Sequence, residues 1–149
     1  MKIEVFGVGC AKCVSLEKSV QKAALEAIEK GLVQSAHDCS EGGLAVALAE
    51  CSISNPRKKL GARINLAKGN LRKDALLFGE SQSRIIISAK KNNVNRILQI
   101  AKKHKAPICL IGKVEGNRLV IDKLVNVSVN DLYKAWGSAI EKHLKIERK

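Results

Sequence analysis

Aromatic side chains are almost missing from this chain: two Phe, one Tyr and one Trp in 149 residues. A core must therefore be built from Ile, Leu, Val and Ala, and 46% hydrophobic content suffices for one domain. The same scarcity argues against nucleic acid as a partner, because no aromatic residues interleave the basic clusters as a base-stacking surface requires. No apolar run approaches the ~18 residues of a membrane span, and no signal peptide is read at the start. A cytoplasmic protein without a membrane partner is expected. Cysteines number five, at positions 10, 13, 39, 51 and 109. The odd count does not suit a secreted disulfide framework, and only Cys10 and Cys13 show a recognisable spacing. No second Cys/His pair completes a four-ligand zinc site, and His37 and Cys39 stand too isolated to replace one, so no metal site is expected.

Acidic residues are also short, 14 against 27 basic ones, for a formal charge of +13. The cations gather at Arg57-Lys58-Lys59, Lys90-Lys91, Lys102 to Lys105 and the tail from Lys142 to Lys149. Such a field attracts phosphates, nucleic acid or an acidic partner, but a solvated face of helices and loops is the simpler reading.

Along the chain, Lys2 to Phe6 reads as a strand and Gly7 to Gly9 as a turn. From Val14 to Lys30 the apolar residues fall at helical spacing, and Gly31 stands where a C-terminal cap belongs. Leu32 to Ala36 reads as a short buried strand, and Leu44 to Cys51 as a mostly buried helix. Asn55-Pro56 interrupts the chain. Leu60 to Leu66 alternates as a half-buried strand, Arg72 to Leu77 forms a short helix, and Ile85 to Ile87 a central strand apolar on both faces. Asn92 to Lys105 is an amphipathic helix. Ile108 to Val114 and Arg118 to Ile121 are expected to pair as a hairpin through Glu115-Gly116-Asn117. Val129 to Leu144 closes as one helix capped by Ser128 or Asn130. The order from Leu60 onward predicts an α/β fold of the α+β kind: a mixed sheet, partly a ferredoxin-like layer, with helices packed on it.

The most informative stretch runs from Gly31 to Glu50, with Ser-Ala-His-Asp-Cys-Ser-Glu-Gly-Gly at residues 35–43. It reads as a strand end, a polar turn with two glycines, and a helix start. Ser40 is placed to cap, and Gly42 and Gly43 let a ligand reach backbone N–H groups, a phosphate-binding geometry. On spacing alone an ordinary strand–helix connection explains it as well. The wording of the stretch, continued as Leu-Ala-Val-Ala-Leu-Ala-Glu, closely resembles the signature of the C-terminal domain of phosphoribosylformylglycinamidine synthase. Leu77 to Arg84 (Leu-Phe-Gly-Glu-Ser-Gln-Ser-Arg) resembles a second signature of that family. Ala106-Pro107, Ile111 to Val114, Asn117 to Ile121 and Asp131 to Trp136 resemble its terminal elements.

The resemblance spans Leu16 to Leu144. It implies the superfamily of aminoimidazole ribonucleotide synthase, with residues 16–149 as a domain like its C-terminal domain. In that superfamily the active site lies in a cleft between this domain and an ATP-binding one. The whole enzyme uses ATP and Mg²⁺ to activate formylglycinamide ribonucleotide, and ammonia from a glutaminase partner completes the amidine. By resemblance, His37, Asp38, Ser40, Gly42 and Gly43 face the cleft, and Ser81, Ser83 and Arg84 bind substrate or nucleotide phosphate. Each has a plainer alternative: His37 and Asp38 hydrogen-bonding locally, Arg84 pairing with Glu80. With no ATP-binding domain, acidic metal cluster or glutaminase nucleophile in view, neither catalysis nor tight binding of ATP or Mg²⁺ by this chain alone is expected.

Residues 1–15 resemble something else, the opening of a small thioredoxin-like protein. There a strand delivers Cys10 to a helix N-terminus, where the dipole and Lys12 lower its thiol pKa and Cys13 resolves. Ala11 stands where that family usually has Pro. A fusion, a rearranged gene or a truncated synthase domain with a chance Cys-x-x-Cys leader all match this pattern. Three functions follow: a half-site domain of the purine ligase, active with the missing domains supplied in trans; a redox protein using Cys10 and Cys13; and an interaction module with a basic surface. The first is favoured by the intact stretches at Asp38 to Gly43 and Ser81 to Arg84. Missing synthase domains, a glutaminase, a phosphorylated small molecule and further copies of the chain are its expected partners.

Overall fold

In the computed structural model the chain runs β1 (Lys2–Phe6), α1 (Cys13–Glu29), β2 (Val33–Asp38), α2 (Gly43–Ile53), β3 (Ala62–Ile64), α3 (Lys73–Phe78) and β4 (Ile85–Ala89). A 3₁₀ turn at Lys91–Asn93 leads into α4 (Val94–Lys103), followed by β5 (Ile108–Val114), β6 (Arg118–Ile121), β7 (Val125–Ser128), α5 (Val129–Gly137) and α6 (Ala139–Ile146). The structure describes residues 2–6, 13–55, 57–66, 71–81 and 83–146, with side chains from residue 15 to residue 144 among them. The predicted turn at Gly7 to Gly9, Cys10 and Pro56 lie outside the described residues.

The strands form one sheet in the order β2-β4-β1-β5-β3-β6-β7. Its first four, β2-β4-β1-β5, pair antiparallel throughout. With α1 and α4 as crossovers they make the βαββαβ unit of a ferredoxin-like layer. The sequence order placed that layer from Leu60 onward; the structure draws its first half from β1, α1 and β2 instead. The strand Lys2–Phe6, read as part of a leader, pairs with β4 on one side and β5 on the other.

Helices cover both faces. On one, Val20, Ala23 and Ala27 of α1 and Ile97 and Ala101 of α4 close over Ile87 and Ala89. On the other, Leu44, Ala47 and Leu48 of α2 pack on Ile64, Ile86, Ile111, Leu119 and Ile121. Adjacent residues of a strand point to opposite faces, so Ile86 and Ile87 enter different cores, as the apolar run of β4 required. Helix α1 ends as its glycine predicts. At Gly31 φ is +64°, its N–H reaches Ile28 O at 2.8 Å, and the Leu32 N–H reaches Ala27 O at 3.0 Å, the paired bonds of a Schellman cap.

Three expectations change. The strand predicted as buried at Leu32 to Ala36 is β2, an edge strand, and its Gln34, Ser35 and Ala36 are exposed. The expected hairpin of 108–114 with 118–121 does not form, because β3 lies between them, antiparallel to β5 and parallel to β6. The three residues joining β5 to β6 span two strand spacings of ~4.8 Å each, within reach of extended backbone. Gly61 leads β3 into that gap, its N–H donating to Gly116 O at 2.8 Å and its carbonyl accepting from Glu115 N at 3.0 Å. The hairpin of this region is β6 with β7. Finally, the closing helix is two helices. Gly137 and Ser138 interrupt it, and the Ser138 hydroxyl turns back to Lys134 O at 2.8 Å.

Candidate functional site

The glycine turn sits where β2 ends and α2 begins, so the sheet edge fixes its position. Ser40 does not cap the helix. Gly42 is the N-cap, with φ +73° and no side-chain cap bond, and Ser40 accepts from the Gly43 amide through its carbonyl at 3.3 Å. A side chain on Gly43 would meet the Phe78 carbonyl carbon at 2.7 Å and the Gly79 oxygen at 2.9 Å. This glycine lets α2 approach the end of α3. The Gly42 N–H is taken by a carboxylate, Glu80 Oε1 at 2.9 Å, reaching over from the loop after α3.

Beside this junction lies a cavity of 420 Å³ whose walls include Asp38, Cys39, Ser40, Glu80, Ser81, Ser83 and Arg84, with Glu17, Val20 and Gln21 of α1 opposite. Five predicted residues meet there: Asp38, Ser40, Ser81, Ser83 and Arg84. Gly42 and Gly43 are not among its walls, and Gly42 is tied to one of them, Glu80, through its N–H. His37 does not join them, because it alternates with Asp38 along β2 and so faces the other way. Its Nδ1 lies 2.6 Å from Asp38 O and its Nε2 3.4 Å from Glu50. With Tyr133 and Trp136 it lines a separate groove of 400 Å³.

Arg84 shows the most telling geometry. Its Nη2 is buried and has no hydrogen-bond partner among the described residues. That nitrogen is not paired with Glu80, whose carboxylate has turned to Gly42. Ser83 precedes it with φ +64°, a conformation that non-glycine residues seldom adopt and that turns the chain into β4. Arg84 O also accepts from the Cys39 amide at 2.8 Å, which ties both rims of the cavity together. Burial raises the Cys39 thiol pKa, and the nearby guanidinium pulls it part of the way back. Cys51 is pushed up to about 11, first by burial and then by Cys39 and Glu50. Neither thiol is a ready nucleophile.

Sequence reasoning missed Glu17, Gln21, Cys39 and Glu41 on these walls. Glu17 and Gln21 carried one signal, an i,i+4 pair flanking a buried Val20, and they share a hydrogen bond of 3.2 Å. Among the described residues no three His, Cys, Asp or Glu side chains converge as metal ligands would. Cys13 opens α1, but Cys10 lies outside the described residues, so no distance supports a redox pair. No helix among the described residues is long and apolar enough to cross a membrane.

The sequence profile of the family described as AIR synthase related protein, C-terminal domain, matches residues 11–123. The phosphoribosylformylglycinamidine synthase subunit PurL of Caldanaerobacter subterraneus subsp. tengcongensis is 40% identical over 129 residues, which cover 84% of this chain and 17% of that protein. This chain thus spans about a sixth of that relative's length. A solved structure of T. maritima PurL complexed with ATP superposes with a TM-score of 0.72 at 27% identity, covering 89% of this chain and 25% of the other. A structure of PurLQS from Thermotoga maritima gives 0.71 at 27% identity, covering 89% and 26%. These relatives lend the redox reading no support.

Proposed function

The chain belongs to the AIR synthase related protein, C-terminal domain family, and from that premise we propose that it supplies one face of the cleft of a phosphoribosylformylglycinamidine synthase. Its part in ATP-dependent amidine formation is to hold the phosphorylated substrate. The single observation that carries this reading is the meeting on one cavity of Ser40, Ser81, Ser83 and Arg84, whose buried Nη2 has no hydrogen-bond partner among the described residues. A buried guanidinium nitrogen left unbonded is costly, and a phosphate oxygen is the partner that satisfies it with a charge-assisted bond. The serine hydroxyls donate or accept as the ligand requires. ATP, in the whole enzyme, supplies the phosphoryl group that turns the amide oxygen into a leaving group. This chain's residues bind and orient; the charge that develops on transfer needs cations from the opposite wall of the cleft. The domains that complete that wall, and a glutaminase delivering ammonia, are the partners this reading requires.

The experiment supplies the chain to a synthase lacking the matching domain, with formylglycinamide ribonucleotide, ATP, Mg²⁺ and a high ammonium concentration. Turnover is expected from the mixture and not from the chain alone, and Arg84→Ala should abolish it while leaving the far-ultraviolet circular dichroism unchanged. Turnover by the pure chain, or full activity with Arg84→Ala, would sink the assignment.

A further inference from the structure

The chain has one Tyr and one Trp, and the fold sets both on the same wall. Tyr133 and Trp136 share one face of α5, and they line the 400 Å³ groove that also takes in His37, Glu50 and Ser54. That volume is typical of a small-molecule site. Tyr133 is half-buried, and the Lys59 ammonium stands 4.2 Å from its ring centroid, which fixes a cation against a wall of the groove. Lys59 ends the basic run Arg57-Lys58-Lys59. In sequence no aromatic residue interleaves a basic cluster; in space α5 brings Tyr133 to this one, with Trp136 a turn further on.

The polar groups of the groove are acceptors. His37 Nδ1 lies 2.6 Å from Asp38 O, and since a carbonyl only accepts, the ring hydrogen sits on Nδ1. In the neutral imidazole Nε2 is then a bare acceptor, and it faces Glu50 Oε2 at 3.4 Å. Two acceptors so close call for a donor between them. Ser54 does not supply it, because its hydroxyl donates to Cys51 O at 3.3 Å.

We propose that this groove is a site for a nucleoside monophosphate: an amino-bearing base stacks on Trp136, its N–H₂ donates to Glu50 and His37, and its phosphate pairs with Lys59. Each part of the ligand answers to one feature. Trp136, 65% exposed, offers the kind of face on which single bases stack. The acceptor pair selects an amino group. A field of +13 repels an organic cation that the acceptors would otherwise suit and draws a phosphate instead. The site lies apart from the cavity of Asp38 and Arg84, because His37 and Asp38 face opposite sides of β2. It holds whether or not that cavity takes a phosphate.

Trp136 is the only Trp of the chain, so its fluorescence reports on the groove without any substitution. Adenosine monophosphate titrated into the full chain should quench that emission to saturation, and ribose phosphate, which lacks the base, should leave it unchanged. Purine riboside monophosphate lacks only the amino group and should bind ~10-fold more weakly, the loss that one hydrogen bond to a charged acceptor allows. Glu50→Ala should abolish that preference. Lys59→Gln should weaken adenosine monophosphate and leave adenosine as it was. No saturable quenching by adenosine monophosphate, or equal quenching by ribose phosphate, overturns the proposal. Equal affinity for the two nucleotides in the unaltered chain, or a preference that survives in Glu50→Ala, overturns the acceptor pair. A loss in Lys59→Gln that adenosine shares overturns Lys59 as the phosphate partner.

Discussion

At Gly43 a single hydrogen atom decides whether two helices can meet. The residue is buried with φ +67°, and a Cβ there would press on the backbone of Phe78 and Gly79, which cannot step aside as a flexible side chain would. Gly43→Ala should therefore lower stability by about 2–4 kcal/mol, adding overpacking to left-handed backbone strain. Gly116 is the control. It has φ +64° but nothing within 4 Å of an added Cβ, so Gly116→Ala should cost about 1 kcal/mol, the backbone part alone. Urea denaturation of both variants checks the difference. Equal losses would mean that the α2–α3 approach is not tightly packed. The comparison also separates two meanings of a glycine pair that looks like a ligand cradle in sequence: Gly43 answers to packing, whereas Gly42 offers an amide that Glu80 takes.

Elements are held by local devices that can be removed one at a time. Helix α5 starts at Ser128, whose Oγ accepts from the Asp131 N–H at 3.1 Å and donates to the Asp131 carboxylate at 2.6 Å. Ser128→Ala should cost about 1 kcal/mol, read as a lower urea midpoint with unchanged slope. Between α1 and α4 the device is Glu26. Its Oε1 accepts from Lys30 at 2.7 Å, and its Oε2 meets Lys103 at 2.8 Å and His104 Nε2 at 2.6 Å. Lys103 above all, then Lys30 and His104, hold this carboxyl far below its ordinary value of 4.5. A depressed carboxylate pKa contributes stability that is complete above the unfolded value and is lost as pH falls below it. Glu26→Gln should thus flatten the decline in melting temperature between about pH 5 and pH 3. An unchanged acid slope would mean the network contributes nothing. Such elements were largely legible in the sequence, because Gly31, Ser128 and the period of Val20, Ala23 and Ala27 act locally. The pairing of β3 between β5 and β6 was not, since the alternation of Ala62 and Ile64 states a face and never a neighbour. The cavity followed the same division. Asp38, Ser40, Ser81, Ser83 and Arg84 came from two contiguous stretches, whereas Glu17 and Gln21 reach it only through the packing of α1 on the sheet. His37 lines a different groove from Asp38 because adjacency in sequence means opposition in a strand.

At the scale of the whole molecule, apolar surface and charge oppose each other. Trp136, Ile140 and Leu144 recur every fourth residue along α5 and α6 and are 65%, 76% and 54% exposed. Trp136 also walls the groove shared with His37 and Tyr133, so the stripe continues into a concave apolar surface. Exposed apolar surface of this extent marks a partner site or drives self-association. Against it stands a charge of +13, which repels a second copy over a Debye length of ~10 Å at 0.1 M salt. If apolar burial drives association, removing the repulsion should strengthen it. The chain is therefore expected to self-associate more tightly in about 0.5 M than in about 0.05 M sodium chloride, with sedimentation velocity as the measurement. Ile140→Asp together with Leu144→Asp should return it to a monomer at both concentrations. Association that weakens with salt, or that survives the double substitution, would place the contact on the charged faces instead of on this stripe. A strict monomer throughout would leave the stripe without a role in self-association, even though the repulsion that opposes it had been screened.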